Sequence, residues 1–124
     1  MIERLKKRRD FLAAAKGTKA PRRAFVLEAR RREDDGPARF GFTVSKRAAK
    51  KAVERNRIRR RLKEAVRLTG PGRVRGGCDY VVVGRRSALA EDFAVLQSDL
   101  AEALAQATRG LHLRQQGVAP SSSR

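Results

Sequence analysis

The sequence predicts an α+β fold with a small sheet, in a single domain. Two segments alternate between apolar and other residues as strands do, and a third is a nearly continuous apolar run. Three further segments repeat apolar residues at helical spacing. In chain order the predicted elements are a helix at 8–16, strands at 24–30 and 39–45, a helix at 55–68, a strand at 79–84 and a helix at 87–108.

The chain of 124 residues has room for one domain with a modest core. We place that domain at residues 1–108, with a mobile basic arm at 1–7 and a disordered tail at 109–124. No internal repeat is visible, and the only cysteine, Cys78, excludes an intrachain disulfide and a multi-cysteine zinc site.

The first helix combines basic residues with one aromatic side chain, Phe11, and Gly17 is well placed to stop it. Two interpretations of Phe11 stay open. It is an apolar anchor for the core, or, because Arg8, Arg9 and Lys16 surround it, a platform on which a nucleobase stacks.

The two alternating strands follow in order. In the first, Phe25, Leu27 and Ala29 face one way, and a charged hairpin connection at 31–38 follows. The second points apolar side chains to a core and small ones to the opposite face; the apolar set is Phe40, Phe42 and Val44, and the small set is Gly41, Thr43 and Ser45. That small face either floors a shallow groove or faces solvent.

Residues 46–67 hold eleven Lys or Arg and two acids, Glu54 and Glu64. In helical projection one stripe is apolar, namely Ile58, Leu62, Ala65 and Val66. The other side is polar and mostly cationic, namely Asn56, Arg57, Arg60, Arg61, Lys63 and Arg67. The helix is therefore predicted to anchor in the core and to offer a polyanion its cationic side.

The apolar run at 79–84 is typical of a strand covered on both faces, and it ends in two cations, Arg85 and Arg86. The last helix has a long apolar stripe. Its acidic residues predict that this helix lies on the side of the protein that is turned away from a polyanion. His112, the only histidine, falls in the predicted tail, where a catalytic use is not expected.

The net charge of +18 and the pI of about 11.7 indicate a nucleic acid or an anionic membrane surface as partner. No apolar run approaches the roughly 18 residues that span a bilayer, and residues 1–9 lack the apolar core of a signal peptide. We therefore expect a cytoplasmic protein that does not bind membranes.

The acids are scattered, and no HExxH, GxGxxG or phosphate-binding GKS motif is present. This pattern predicts a binding protein without catalytic or metal-ligating residues. The cations surround the basic helix more widely than reading DNA bases requires, and a cluster of arginines suits the dense phosphates of structured RNA. RNA is preferred to DNA.

Two blocks carry a family resemblance: Phe-Gly-Phe-Thr-Val-Ser-Lys at 40–46 and Ala-Val-Glu-Arg-Asn-Arg-Ile-Arg-Arg-Arg-Leu-Lys-Glu at 52–64. With the Arg-Asp-Phe of the first helix and the Asp-Tyr-Val-Val-Val strand, they resemble the protein subunit of bacterial ribonuclease P. The resemblance implies a small α/β sandwich of the ribosomal protein S5 domain 2-like fold, with a left-handed crossover through the basic helix.

The resemblance also implies a function. The chain would be a subunit of a ribonucleoprotein endoribonuclease, whose RNA subunit uses Mg²⁺ to remove the 5′ leader of precursor tRNA. The protein would bind no cofactor by itself. The alternative is a ribosomal or chaperone-type RNA-binding protein without a role in cleavage, and a DNA-binding protein is a third possibility.

Two sets of site residues follow from the resemblance. The set matching the motif that binds the catalytic RNA is Arg55, Asn56, Arg57, Arg59, Arg60 and Arg61. The set matching the cleft for the leader is Phe11, Lys46, Arg85 and Arg86. The family often has a second aromatic one helical turn after the first, where this chain has Ala14 and Ala15, so stacking on the leader would rest on Phe11 alone.

Overall fold

The computed structural model describes residues 2–115, with side chains through Leu111. Its elements are β1 (Ile2–Arg4), α1 (Arg8–Ala15), β2 (Thr18–Pro21), β3 (Phe25–Arg31), β4 (Ala38–Thr43), α2 (Ala52–Thr69), β5 (Cys78–Gly84), a 3₁₀ turn (Arg86–Leu89) and α3 (Phe93–Gln115). The five strands form one mixed sheet in the order β1-β4-β5-β3-β2. The predicted α+β class is thereby confirmed.

Strands β1, β4 and β5 run parallel, and β3 and β2 are antiparallel to their neighbours. Because β4 and β5 are adjacent and parallel, the chain must cross from the end of one to the start of the other, and α2 makes that crossover. The helix begins at Ala52, three residues before the predicted start. Ala52 and Val53 are exposed, which explains why they lie off the apolar stripe.

The sheet carries α2 and α3 on one face and α1 on the other. The larger core packs Ile58, Leu62, Leu96 and Leu100, among others, against the inward side chains of the sheet. A smaller cluster, Leu5, Ala14 and Val81 with Phe11 and Val83, lies under α1. Strand β5 contributes to both clusters, which confirms the prediction that it is covered on both faces.

The sequence analysis did not predict the two short strands at the sheet edges. Residues 2–4, placed in a mobile arm, instead pair with β4, and the Leu5 N–H donates to the Phe40 carbonyl at 2.8 Å. Strand β2 has four residues and ends in Pro21, which fits an edge position. Segments of three or four residues are too short for a period-two pattern to be distinguished from chance.

The prediction of a disordered tail from residue 109 is wrong for residues 109–115, because α3 continues to Gln115. Gly110, in the predicted tail, lies inside the helix where α3 approaches β2. A Cβ at that position would be 2.6 Å from Thr18 Cγ2. Leu111 on the next position is buried. Residues 116–124 lie outside the described part of the chain.

None of the described helices combines the length and the apolar character that crossing a bilayer requires.

Candidate nucleic-acid interface

The outward side of α2 is a continuous polar surface, which we call the α2 cationic surface and define as Asn56, Arg57, Arg60, Lys63 and Arg67. All five side chains are exposed. Ile58, Leu62, Ala65 and Val66 are buried on the opposite side, as the apolar stripe predicted. Burial of that stripe fixes the rotation of the helix, so the cations point away from the sheet.

Within this surface Arg57 and Arg60 are available to a ligand. Neither forms a hydrogen bond or an ion pair with another described residue, whereas Arg67 pairs with Glu64 at 2.6 Å. Arg59, at the flank of the surface, donates to Asn56 Oδ1 at 2.7 Å. Of the Arg-Asn-Arg sequence at 55–57, Asn56 and Arg57 are thus displayed to solvent.

Two of the predicted RNA-contact residues are engaged within the protein. Arg55 Nη1 donates to the carbonyls of Ala49 and Lys50, at 2.9 and 2.8 Å, and so fastens the loop that leads into α2. Arg61 donates to the carbonyls of Ala88 and Glu91, each at 2.6 Å, and so joins α2 to the segment before α3. These contacts favour a structural role for Arg61, which helical projection alone grouped with the exposed cations.

Phe11 projects from α1 onto the backbone of β4. A Cβ at Gly41 would lie 2.5 Å from Cε1 and Cζ of the Phe11 ring, so glycine is what allows this close approach. The ring also packs with Leu5 and Val81 and remains half-buried. The two interpretations of Phe11 are therefore compatible, because one side of the ring anchors α1 and the rest is open to a ligand.

The remaining predicted cleft residues lie together at one end of the sheet. Lys46 follows β4, and Arg85 and Arg86 follow β5, and parallel neighbours end on the same side. All three side chains are exposed. Phe11 covers Gly41, two residues before the last residue of β4, and from there the strand runs on toward this cationic end.

The cations at that end are loosely held by the protein. Arg86 pairs with Glu54 of α2 at 3.3 Å, and its hydrogen bond lowers the pKa of the Glu54 carboxyl. Arg85 Nη1 donates to the Arg22 carbonyl at 3.1 Å. The antiparallel pairing of Phe25 with Gly84 brings Arg22 and Arg23 to the same end. Sequence reasoning missed these two arginines, because only the strand order places them there.

Beneath α1 lies a second group that sequence reasoning missed, which we call the Asp79 cluster: Asp10, Arg30, Arg32, Arg39 and Asp79. Asp79 is fully buried and accepts hydrogen bonds from Arg39 at 2.8 Å and Arg32 at 2.6 Å. Burial by itself raises the pKa of the Asp79 carboxyl, but these hydrogen bonds outweigh it and hold the pKa below its usual value.

The Asp79 cluster ties α1 to the sheet. Asp10, the residue before Phe11, forms ion pairs with Arg30 at 3.2 Å and with Arg39 at 3.5 Å. Those two arginines stand on β3 and β4, on either side of Asp79 in β5. Three neighbouring strands therefore hold the helical turn that carries Phe11.

No three carboxylate, histidine or cysteine side chains of the described residues come together as a cation site. The two buried carboxylates, Asp10 and Asp79, are both engaged by arginines. The described surfaces accordingly offer positive charge and an aromatic ring, a combination that suits phosphates and unpaired bases.

Comparison with known proteins agrees with this chemistry. The family model described as Ribonuclease P matches residues 2–108. The ribonuclease P protein component of Gluconacetobacter diazotrophicus is 47% identical over 105 residues, which cover 84% of this chain and 90% of that protein. That of Bartonella quintana is 41% identical over 120 residues, covering 92% and 89%.

Solved structures show the same architecture. The RNase P protein of Staphylococcus aureus superposes with a TM-score of 0.69 at 28% identity, covering 84% of this chain and 94% of that one. The protein from Thermotoga maritima gives a TM-score of 0.69 at 30% identity, covering 84% and 96%. The chain therefore belongs to the family of the ribonuclease P protein component, the protein subunit of the ribonucleoprotein endoribonuclease that processes the 5′ leader of precursor tRNA.

Proposed function

We propose that this chain divides its work between two surfaces, binding the catalytic RNA through the α2 cationic surface and the 5′ leader through the cleft beside Phe11. Membership of the family implies partnership with the RNase P RNA and with precursor tRNA. The observation that carries the division is the exposure of Arg57 and Arg60 without protein partners, on a helix whose rotation is fixed by its buried stripe.

The proposed contact with the catalytic RNA uses Asn56, Arg57, Arg59 and Arg60. Guanidinium groups bind phosphate oxygens through paired hydrogen bonds, and irregular RNA offers phosphates at several heights along a helix of 18 residues. Arg55 and Arg61 act indirectly in this proposal, since their hydrogen bonds to carbonyls hold the two ends of the surface in place.

The proposed leader cleft begins at Phe11 and ends at Lys46, Arg85 and Arg86. An unpaired base stacks on the open side of the ring, while the following phosphates meet the cations at the strand ends. Such binding is insensitive to base sequence, because every base has a stacking face.

The magnesium ions belong to the RNA-catalysed step in this proposal. They assist cleavage of the phosphodiester, and the protein positions the substrate. We place the protein in the cytoplasm, on RNA rather than DNA.

A cleavage assay tests the proposal directly. Precursor tRNA and the cognate catalytic RNA are combined at low Mg²⁺, with and without the protein. The protein is expected to accelerate cleavage, because its cations offset repulsion between two RNA molecules. An unchanged rate would contradict the proposed role.

Removing the two free arginines, Arg57→Ala with Arg60→Ala, should weaken binding to the catalytic RNA. The slope of log affinity against log salt should shrink by about 1–2, since about one counterion is released for each phosphate contact. Filter binding at several salt concentrations measures both the affinity and this slope. Arg109→Ala removes an exposed cation of α3 and serves as the control. Equal losses in both proteins would indicate a general charge effect instead.

Replacing the aromatic ring, Phe11→Ala, should reduce affinity for precursor tRNA by about 1–3 kcal/mol and leave affinity for mature tRNA unchanged. Phe11→Leu keeps more of the packing on Gly41 and separates loss of stacking from loss of folding. Leu12→Ala, on the exposed neighbour, is the control. If both tRNAs bind equally less well, Phe11 acts only as a core anchor.

A further inference from the structure

A row of three aromatic rings lies beneath α2, from Tyr80 on β5 to Phe40 on β4 and then along β4 to Phe42. Tyr80 stacks on Phe40, with centroids 4.9 Å apart and planes at 15°, and Phe40 stacks on Phe42 at 6.1 Å and 23°. Tyr80 and Phe40 are buried, whereas Phe42 is half-buried. The last ring of the row is therefore open to a further planar group.

The sheet edge beside Phe42 is also open. Strand β1 ends at Arg4, opposite Phe40, and the chain then leaves the sheet for α1. Leu5 donates to the Phe40 carbonyl, so the alternation of a parallel ladder directs the N–H and C=O of Phe42 to the same edge. No hydrogen bond from the described residues reaches either group.

Around Phe42 the surface forms a depression of about 1000 Å³, which we call the edge pocket. Its apolar wall includes Ile2, Val66 and Val74, and its cations are Arg4, Lys6, Arg59, Lys63 and Arg67. Among the described lining residues Glu3 is the only acid. Lys63 Nζ lies 6.0 Å from the centroid of the Phe42 ring, within the range of a cation–π contact.

We propose that the edge pocket binds an unpaired nucleotide of the catalytic RNA, with its base stacked on Phe42 and its phosphate held by Arg59 and Lys63. The base would extend the aromatic row, and its polar edge has a donor and an acceptor to meet the C=O and N–H of Phe42. A single nucleotide satisfies the ring, the backbone groups and the positive charge together.

The catalytic RNA is the source because Lys63 belongs to the α2 cationic surface and Arg59 flanks it. The edge pocket continues this surface around the side of the helix, where Phe42 packs on the α2 side of the sheet. Phe11 and Gly41 also line the edge pocket, but Phe11 packs with the cluster under α1, where the proposed leader cleft begins. The inference thus rests on the proposed role of α2 in binding the catalytic RNA, and it adds a specific nucleotide site to that charged contact.

Ring replacement tests the stacking. Phe42→Leu should weaken binding to the cognate catalytic RNA about tenfold, and Phe42→Tyr should leave it within about twofold, because tyrosine keeps the stacking face. Leu68→Ala, on an exposed apolar residue of α2 outside the edge pocket, is the matched control. Equal binding by wild type and Phe42→Leu would overturn the proposal.

A second variant covers the case in which Phe42→Leu does not fold. Lys63→Gln removes an exposed charge without touching the core, and it should weaken binding about threefold and reduce the salt dependence. Unchanged binding by this variant would also overturn the proposal. Circular dichroism and the thermal midpoint report folding for each protein.

Photocrosslinking identifies the occupant. Phe42 is replaced by p-benzoylphenylalanine in the holoenzyme, which is irradiated with precursor tRNA bound. The proposal expects a crosslink to one unpaired nucleotide of the catalytic RNA; a crosslink to the leader, or none to RNA, overturns it. If Arg57→Ala with Arg60→Ala weakens binding while the Phe42 and Lys63 variants do not, the proposed function stands and the nucleotide site alone fails.

Discussion

Helices α1 and α2 both present functional side chains, but they are held to the sheet by different forces. Helix α2 has 18 residues and buries four apolar side chains in the main core. Helix α1 has eight residues and buries only Asp10 and Ala14. Apolar burial stabilises α2, whereas the ion pairs of Asp10 supplement a small apolar cluster in holding α1.

The same residue type consequently has two uses in one small protein. Arg57 and Arg60 on α2 have no described partners and are free for RNA, while Arg30 and Arg39 are committed to the carboxylates under α1. An arginine count cannot separate the two uses. Substitutions should separate them, because loss of a free arginine affects binding and disruption of a committed one affects folding.

The largest effect is expected from Asp79→Asn. The change leaves Arg32 and Arg39 facing an uncharged amide at a fully buried position, which should lower the free energy of unfolding by about 2–4 kcal/mol. The estimate lies below that for a fully buried pair, because Arg39 is 26% exposed and can regain water. Urea denaturation followed by circular dichroism measures the change.

Asp35→Asn is the control for that experiment, since Asp35 is an exposed acid in the loop between β3 and β4. It should change the stability by less than about 0.5 kcal/mol. A loss below about 1 kcal/mol in Asp79→Asn would show that the apolar cluster under α1 suffices and that the contrast between the helices is false.

The contrast between α1 and α2 also explains which features could be predicted from the sequence. Helix α2 was predicted correctly in kind and in its buried face, because a period of 3.6 repeats over many residues. The ion pairs under α1 could not be predicted from the sequence. Arg30 and Asp79 are 49 positions apart, and their meeting depends on the order and register of β4, β5 and β3.

The direction of long side chains is a second feature that the sequence could not predict. Arg61 and Arg57 lie one turn apart on the same helix, yet Arg61 reaches the carbonyls before α3 and Arg57 reaches solvent. The position of α3 beside α2 decides this difference, and no local pattern contains it. For the same reason the edge pocket could not be foreseen, since it depends on where β1 stops along β4.

A smaller effect is expected from Gly41→Ala, which places a methyl group 2.5 Å from the Phe11 ring. Alanine ordinarily stabilises a strand relative to glycine, but at this distance the ring must move. Overpacking should lower the free energy of unfolding by about 1–3 kcal/mol and weaken binding of precursor tRNA relative to mature tRNA.

A double-mutant cycle with Phe11→Ala isolates that contact. With the ring removed, Gly41→Ala should become neutral or stabilising, and the coupling between the two changes gives the size of the clash. If the two substitutions act additively, Phe11 does not rest on Gly41 in solution.

The smallest effect is expected on the stability of the variant Arg57→Gln with Arg60→Gln. Neither side chain has a described partner, and removing two like charges relieves repulsion, so the free energy of unfolding should stay within about 0.5 kcal/mol of wild type. Urea denaturation at low and at high salt measures it. Any increase in the free energy of unfolding should vanish at high salt, because salt screens the repulsion. A loss of 2 kcal/mol or more would mean that these arginines stabilise the fold, and the distinction between the charges of α1 and those of α2 would then be untenable.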